Sequence, residues 1–116
     1  MKITQYSFGR ITINGRTYTS DIKIVQGKIV PNWWRDQGHL LQVQDIQDII
    51  AARPHTLIIG TGASGVMRLA PDIHEYLGRE GIKVEFMPTG QAVERFNELV
   101  QIMGEDQVAA AFHLTC

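Results

Sequence analysis

The 116 residues contain one cysteine, four prolines and no apolar run longer than a few residues, and neither sign of charge is in clear excess. Each shortage closes off a class of protein. A single thiol, Cys116, rules out an internal disulfide framework, and equally a zinc or iron–sulfur site built from several cysteines of one chain. Eleven Lys and Arg against twelve Asp and Glu leave a net charge of -1, so no overall positive field exists to hold a phosphate backbone or an anionic membrane. The apolar runs fall far short of the ~20 residues that a membrane-spanning helix needs. Residues 1–10 show neither the apolar core of a signal peptide nor an acid-free, Arg- and Ser-rich transit sequence, and cytoplasmic residence is the expectation. Nucleic acid and membrane insertion are not expected partners.

What is present suits an ordinary globular chain: 44% of residues are hydrophobic and 20% charged. Domains typically run to ~100–150 residues, so a single domain over residues 1–116 is expected. The first third reads as strands and tight turns. Arg10 to Thr19 alternates β-branched residues around Asn14-Gly15, the pair that best tolerates two successive positive φ angles in a hairpin turn. Asp21 to Val30 repeats the pattern around Gln26-Gly27, and Ser7-Phe8-Gly9 reads as a bend or bulge.

After Trp33-Trp34-Arg35 the hydrophobic period lengthens to that of a helix. Ile46, Ile49 and Ile50 mark a helix stopped by Pro54, and Pro71 opens a second carrying Ile73, Tyr76 and Leu77. Thr89 reads as the cap of a third and longer helix, with Val93, Phe96, Leu99, Val100 and Met103 on one face and Gly104 at its end. Between them lie three apolar strands, Thr56–Gly60, Lys83–Met87 and Val108–Leu114. Alternating helices and apolar strands predict a largely parallel sheet covered on its faces.

Two stretches carry candidate chemistry. Gly60-Thr61-Gly62-Ala63-Ser64-Gly65 follows a buried strand in a Gly-x-Gly-x-x-Gly spacing, and Glu85 lies twenty residues beyond Gly65. A dinucleotide site would require a helix to open within the glycines, and Pro71 puts the helix start later. The open alternatives are a structural loop and a cradle of amides for a small anion, with Arg68, Thr89 or Thr115 nearby. Under the second, Gly62→Val is expected to abolish ligand binding while the fold survives. The other stretch is Trp33-Trp34-Arg35 with His39. Adjacent residues of an extended segment face opposite ways, so one indole enters the core and the other needs a second surface or a partner. Exposed Trp beside Arg is the composition of an interface hot spot, while internal pairing of Arg35 is the plainer alternative. The four histidines, His39, His55, His74 and His113, show no metal-ligand spacing, and neither metal nor cofactor is expected. His113 beside Cys116 does not read as a catalytic pair, because alternation turns the two side chains to opposite faces.

Taken together, Tyr6-Ser7-Phe8-Gly9-Arg10-Ile11, Tyr18-Thr19-Ser20-Asp21, Trp33-Trp34-Arg35 with Gly38-His39, Ile58-Ile59-Gly60-Thr61-Gly62 with Gly65, and His113-Leu114-Thr115-Cys116 resemble the Mth-type domain family of unknown function. Its eukaryotic relatives are the adipogenesis-associated Mth-domain protein and the mitochondrial complex I assembly factor three. The resemblance implies a three-layer α/β domain: a central mixed, mainly parallel sheet with one antiparallel strand, helices on both faces and added N-terminal β-hairpins. It implies no reaction, substrate or catalytic residue. Two functional expectations follow. The first is a non-catalytic protein-binding or assembly-related module using Trp33, Trp34, Arg35 and His39, monomeric or weakly self-associating. The alternative is a small anionic-ligand protein or enzyme using Gly60, Thr61, Gly62, Gly65, Thr89 and Thr115.

Overall fold

A computed structural model describes residues 1–116. The main sheet has five strands in the order β5-β4-β10-β7-β9, where β4 is Ile22–Val25, β5 Lys28–Val30, β7 Thr56–Thr61, β9 Lys83–Met87 and β10 Val108–His113. The chain thus places its last strand in the middle. β10, β7 and β9 run parallel, β4 runs against β10, and β5 turns back along β4, so β4 alone opposes the other four. The expected mixed, mainly parallel sheet with a single reversed strand is therefore present.

Both faces are covered, since the central strands β7 and β10 are buried along their whole length and send apolar side chains to either side. Ile22, Ile24, Ile58, Ala110 and Phe112 face one layer, while Leu57, Ile59, Ala109 and Ala111, one residue out of step, face the other. On the first face lies α3 (Thr89–Met103), which buries Val93, Phe96 and Leu99. Beside it packs a small sheet of β1 (Ile3–Ser7), β2 (Arg10–Ile13) and β3 (Arg16–Tyr18) through Ile3, Ile11 and Ile13. Asn97 of α3 accepts from the Ile3 amide at 2.9 Å and donates to its carbonyl at 2.7 Å, pairing the Ile3 backbone on the open edge of β1 as another strand would. The second face carries α1 (Gln47–Ala52), preceded by a 3₁₀ turn over Val43–Ile46, and α2 (Ile73–Arg79).

Both expected hairpins form, with positive φ at Asn14, Gly15, Gln26 and Gly27 as such turns require. Of the bend or bulge expected at Ser7-Phe8-Gly9, the bend is present: Phe8 and Gly9 turn the chain from β1 into β2, making a third hairpin. Two local expectations are corrected. Pro71 precedes α2 rather than opening it, since the Ile73 amide first closes a turn onto Ala70. Thr89 is the first helical residue of α3 instead of its cap, because its hydroxyl is held elsewhere. A two-residue parallel pairing of β6 (Leu40–Leu41) with β8 (Arg68–Leu69) was not expected, being too short for any period to show. No helix is long and apolar enough to cross a membrane.

Candidate functional site

Because β7, β9 and β10 are parallel, their carboxyl ends share one edge of the sheet, and β4, running the other way, starts there. Open α/β sheets hold their ligands at this edge. Four segments converge on it: Asp21 at the entry to β4, Pro31 to Arg35 leaving β5, the glycine loop leaving β7, and Leu114 to Cys116 leaving β10.

Asp21 is the hub. Its Oδ2 accepts from Arg35 Nη2 and from His113 Nδ1, each at 2.8 Å, and its Oδ1 accepts from the Leu114 amide at 2.8 Å. A carboxylate can only accept, so Nδ1 of His113 is the donor to Asp21. Burial works against ionising Asp21, but the bonds from His113, the Leu114 amide and Arg35 outweigh it and hold the carboxyl below its ordinary value. Tyr6 shares this neighbourhood: its hydroxyl donates to the Leu114 carbonyl at 2.8 Å, and burial, with the Asp21 charge, raises its pKa.

Arg35 is held from three sides. Besides Asp21, its Nε donates to the Gly38 carbonyl at 3.0 Å, and its guanidinium lies 4.6 Å from the centre of the Trp33 ring. Trp33 is itself fixed, with its Nε1 donating to the Asp45 carbonyl and its ring in the α1 and α2 core. The extended backbone then turns Trp34 outward. Trp33 is 5% exposed and Trp34 83%. Two buried nitrogens of this network have no partner, Arg35 Nη1 and His113 Nε2. A cleft of about 320 Å³ opens nearby, lined by Asp21, Asn32, Trp34, Arg35, Leu114 and Thr115 among others.

The glycine loop differs in character. The Gly62 amide donates to Thr89 Oγ1 at 2.8 Å, the Ala63 amide to the Thr115 carbonyl at 2.7 Å and the Gly65 amide to the Gly62 carbonyl at 3.2 Å. Thr89 closes the circuit by donating to the His113 carbonyl at 2.6 Å, while its own amide donates to the Gly62 carbonyl at 2.9 Å. Gly62 has φ +107°, and a Cβ there would stand 2.8 Å from the Thr115 and Cys116 carbonyl oxygens and 2.9 Å from the His113 ring. Gly62→Val is thus incompatible with this packing, and the expectation that it spares the fold is corrected. Gly60 is needed for a different reason: a Cβ would meet Thr89 Oγ1 at 2.7 Å and the Phe112 ring at 2.9 Å, so its bareness lets α3 approach β7. No helix opens within the glycines, and Glu85 is engaged by Arg95 at 2.8 Å on α3, whose hydrogen bonds lower its pKa despite some burial.

The edge therefore gathers all ten residues singled out in the sequence, in two unlike groups. Gly60, Thr61, Gly62, Gly65, Thr89 and Thr115 form a largely self-bonded seam, with a shallower hollow of about 350 Å³ beside Thr61, Ser64 and Gly65. Of the four residues expected to meet a partner, Trp34 and His39 are exposed, but Trp33 and the Arg35 side chain, 4% exposed, are not surface groups. That part of the expectation is corrected: the ion pair with Asp21 and the stacking on Trp33 draw Arg35 inward. Asp21 and His113 were missed as a pair, for 92 residues separate them and only the reversal of β4 brings them together.

Residues 3–113 match the family described as protein of unknown function (DUF498/DUF598). The chain belongs to this family. Among solved structures it is similar to a conserved hypothetical protein of Pyrococcus horikoshii OT3, with 25% identity over 100% of both chains and a TM-score of 0.78. A Bartonella henselae protein described as an outer membrane protein shares 24% identity over 98% of this chain and 94% of its own, with a TM-score of 0.81. A Bordetella pertussis protein described as a Mth938-like domain shares 20% over 97% and 85%, with a TM-score of 0.74. The resemblance to the Mth-type domain is thereby established, and the mixed α/β fold with it; the family is one of unknown function.

Proposed function

We propose that this DUF498/DUF598 domain is a non-catalytic protein-binding module of the assembly-related kind, whose docking surface is the carboxyl edge of the sheet around Trp34. The observation that carries the proposal is Trp34 itself, an 83% exposed indole on a segment pinned by buried neighbours on both sides. A rigid, solvent-facing Trp loses little conformational freedom on binding and hides a large apolar area, which is why such residues dominate interface energetics. Its setting adds support. Phe8, also exposed, tips the turn whose Gly9 amide bonds the Leu114 carbonyl at 2.9 Å, and exposed Phe86 flanks the hollow beside the glycine loop. Large apolar side chains thus gather on one edge.

Cytoplasmic residence and a monomeric or weakly self-associating state belong to the same proposal. Cys116 is free and exposed, which suits a reducing compartment. Fractionation of the native host tests the location, with recovery in the envelope as the opposing result. Docking itself is tested by native mass spectrometry of the protein gently isolated from its host, comparing wild type, Trp34→Ala and Phe8→Ser. A protein partner retained by the wild type and lost from a folded Trp34→Ala variant is the expected outcome; equal retention by all three removes Trp34 from the interface.

A further inference from the structure

On one border the main sheet ends at β9, and that border is open. β7 pairs with the inner side of β9, and no other strand bonds the outer side. The Lys83 amide donates to the His55 carbonyl at 3.0 Å, on the β7 side. By alternation Glu85 and Met87 also turn their backbone groups toward β7, and those of Val84 and Phe86 point outward. Such a row of backbone donors and acceptors is a template for another strand, which proteins commonly blunt with a proline, a bulge or a lysine. β9 has no proline within Lys83–Met87, and its pairing with β7 runs without a shift. It does carry a lysine, and that residue decides what can pair with it.

The side chains of β9 sort by face. Lys83 and Glu85 lie on the α3 side, where Glu85 meets Arg95 at 2.8 Å and the Lys83 ammonium, 64% exposed, at 3.7 Å. Val84 and Phe86 lie on the α2 side: Val84 packs on the core, while the Phe86 ring sits 5.5 Å from that of His74 and stays 52% exposed. A second copy of β9, brought up antiparallel about a two-fold axis, sets one residue of the strand opposite itself. Centring on Lys83 or on Glu85 puts like charges face to face. Centring on Phe86 or on Met87 brings Pro88, which has no amide, opposite an outward-facing residue. Centring on Val84 avoids both faults. Lys83 then faces Glu85 of the second copy, and Glu85 faces Lys83 in return. The outward N–H and C=O of Val84 bond their own counterparts, and Phe86 lies beside Ile82 of the second copy. On α2, Gly78 shares the flank of His74 four residues before it, and open space stands where its Cβ would be, which leaves room for a second α2.

We propose that β9 is a self-association edge, at which two copies of this chain join antiparallel into one continuous sheet with Val84 on the two-fold axis and each Lys83 paired with the other copy's Glu85. Trp34 follows β5, at the opposite border of the sheet, so the pairing leaves it open and does not depend on a protein docking there.

The test is sedimentation equilibrium from micromolar to millimolar protein, with amide hydrogen exchange of the wild type at both ends of that range. A reversible dimer is expected, in which the Val84 and Phe86 amides exchange more slowly at high concentration than at low. Val84→Pro removes an N–H that β7 does not use, and should weaken association about tenfold or more. Lys83→Glu and Glu85→Lys should each associate poorly alone, and their mixture should form a heterodimer tighter than either variant makes with itself. Trp34→Ala should dimerise like the wild type. Should a variant fail to fold, the exchange of the wild-type amides still decides. A monomer at every concentration, or a dimer whose Val84 and Phe86 amides gain no protection, overturns the proposal. A dimer kept by Val84→Pro and lost by Trp34→Ala also overturns it, and moves the contact to the docking surface.

Discussion

Two segments leave β5 and β7 at the same edge of the sheet, and they treat their polar groups in opposite ways. The loop from Gly60 to Gly65 returns its amides to its own surroundings, to Thr89, Thr115 and Gly62. The segment from Pro31 to Arg35 anchors Trp33 and most of Arg35, then leaves Trp34 in solvent and Arg35 Nη1 unpartnered. The loop that looks functional by its glycines is the more structural of the two, and it is the other segment that presents a large side chain to solvent. A glycine pattern reports where backbone must come close to something. Whether that something is a ligand or the protein's own chain end is decided by the fold.

The contrast is tested most severely at Gly62. Gly62→Ala combines a positive φ with contacts under 3 Å to two backbone carbonyls, and should cost about 3 kcal/mol or prevent folding, as read by urea denaturation. A loss below about 1 kcal/mol would mean that the loop has slack enough to accept a ligand after all. At the junction of the two loops, Asp21→Asn should cost about 3 kcal/mol at neutral pH, because it leaves Arg35 buried without its counter-charge. The sign of its pH dependence follows from the depressed pKa. Stability contributed by the Asp21 carboxylate is complete above its ordinary value of 3.8 and drains away as pH falls through the lower native value. The gap between wild type and Asp21→Asn should therefore narrow in acid, measured as denaturation midpoints from pH 6 down to about pH 2. Glu85, also depressed, is common to both proteins and drops out of the difference. The smallest effect belongs to Trp34: with 83% of its surface already in water, Trp34→Ala should shift stability by no more than about 0.5 kcal/mol. A larger loss would turn the indole from a docking group into a structural one.

Much of this architecture is legible in the residues. Asn14-Gly15 and Gln26-Gly27 announce their hairpins by backbone sterics alone, and runs such as Thr56–Gly60 announce strands buried on both faces, because local chemistry and final environment agree there. Trp33-Trp34 likewise foretells one buried and one exposed indole from nothing more than the alternation of an extended chain. The hub is a different matter. Asp21 and Arg35 meet across the β4–β5 hairpin, but His113 joins them only when the last strand slots between β4 and β7, and no periodicity in any one segment encodes that meeting. Thr89 shows the same limit at one atom: its position promises a helix cap, yet its hydroxyl is drawn away by a longer-range bond to the His113 carbonyl.

The central seat of β10 also governs how the polypeptide can come into being. Strands β4 and β7, its two flanking partners, are made first and must wait, since nothing else in the chain can join them. Until residue 113 has left the ribosome the two halves of the sheet remain unzipped, each with a raw interior edge, and the Asp21 carboxylate has neither imidazole nor Leu114 amide to meet. Closure of the main sheet therefore depends on β10, which alone joins the β4–β5 pair to the β7–β9 pair. A nascent chain stalled short of β10 would hold the strands on either side of it as separate pairs, β4 with β5 and β7 with β9, each with an unpaired inner edge, and would be the form most exposed to sticking to its neighbours.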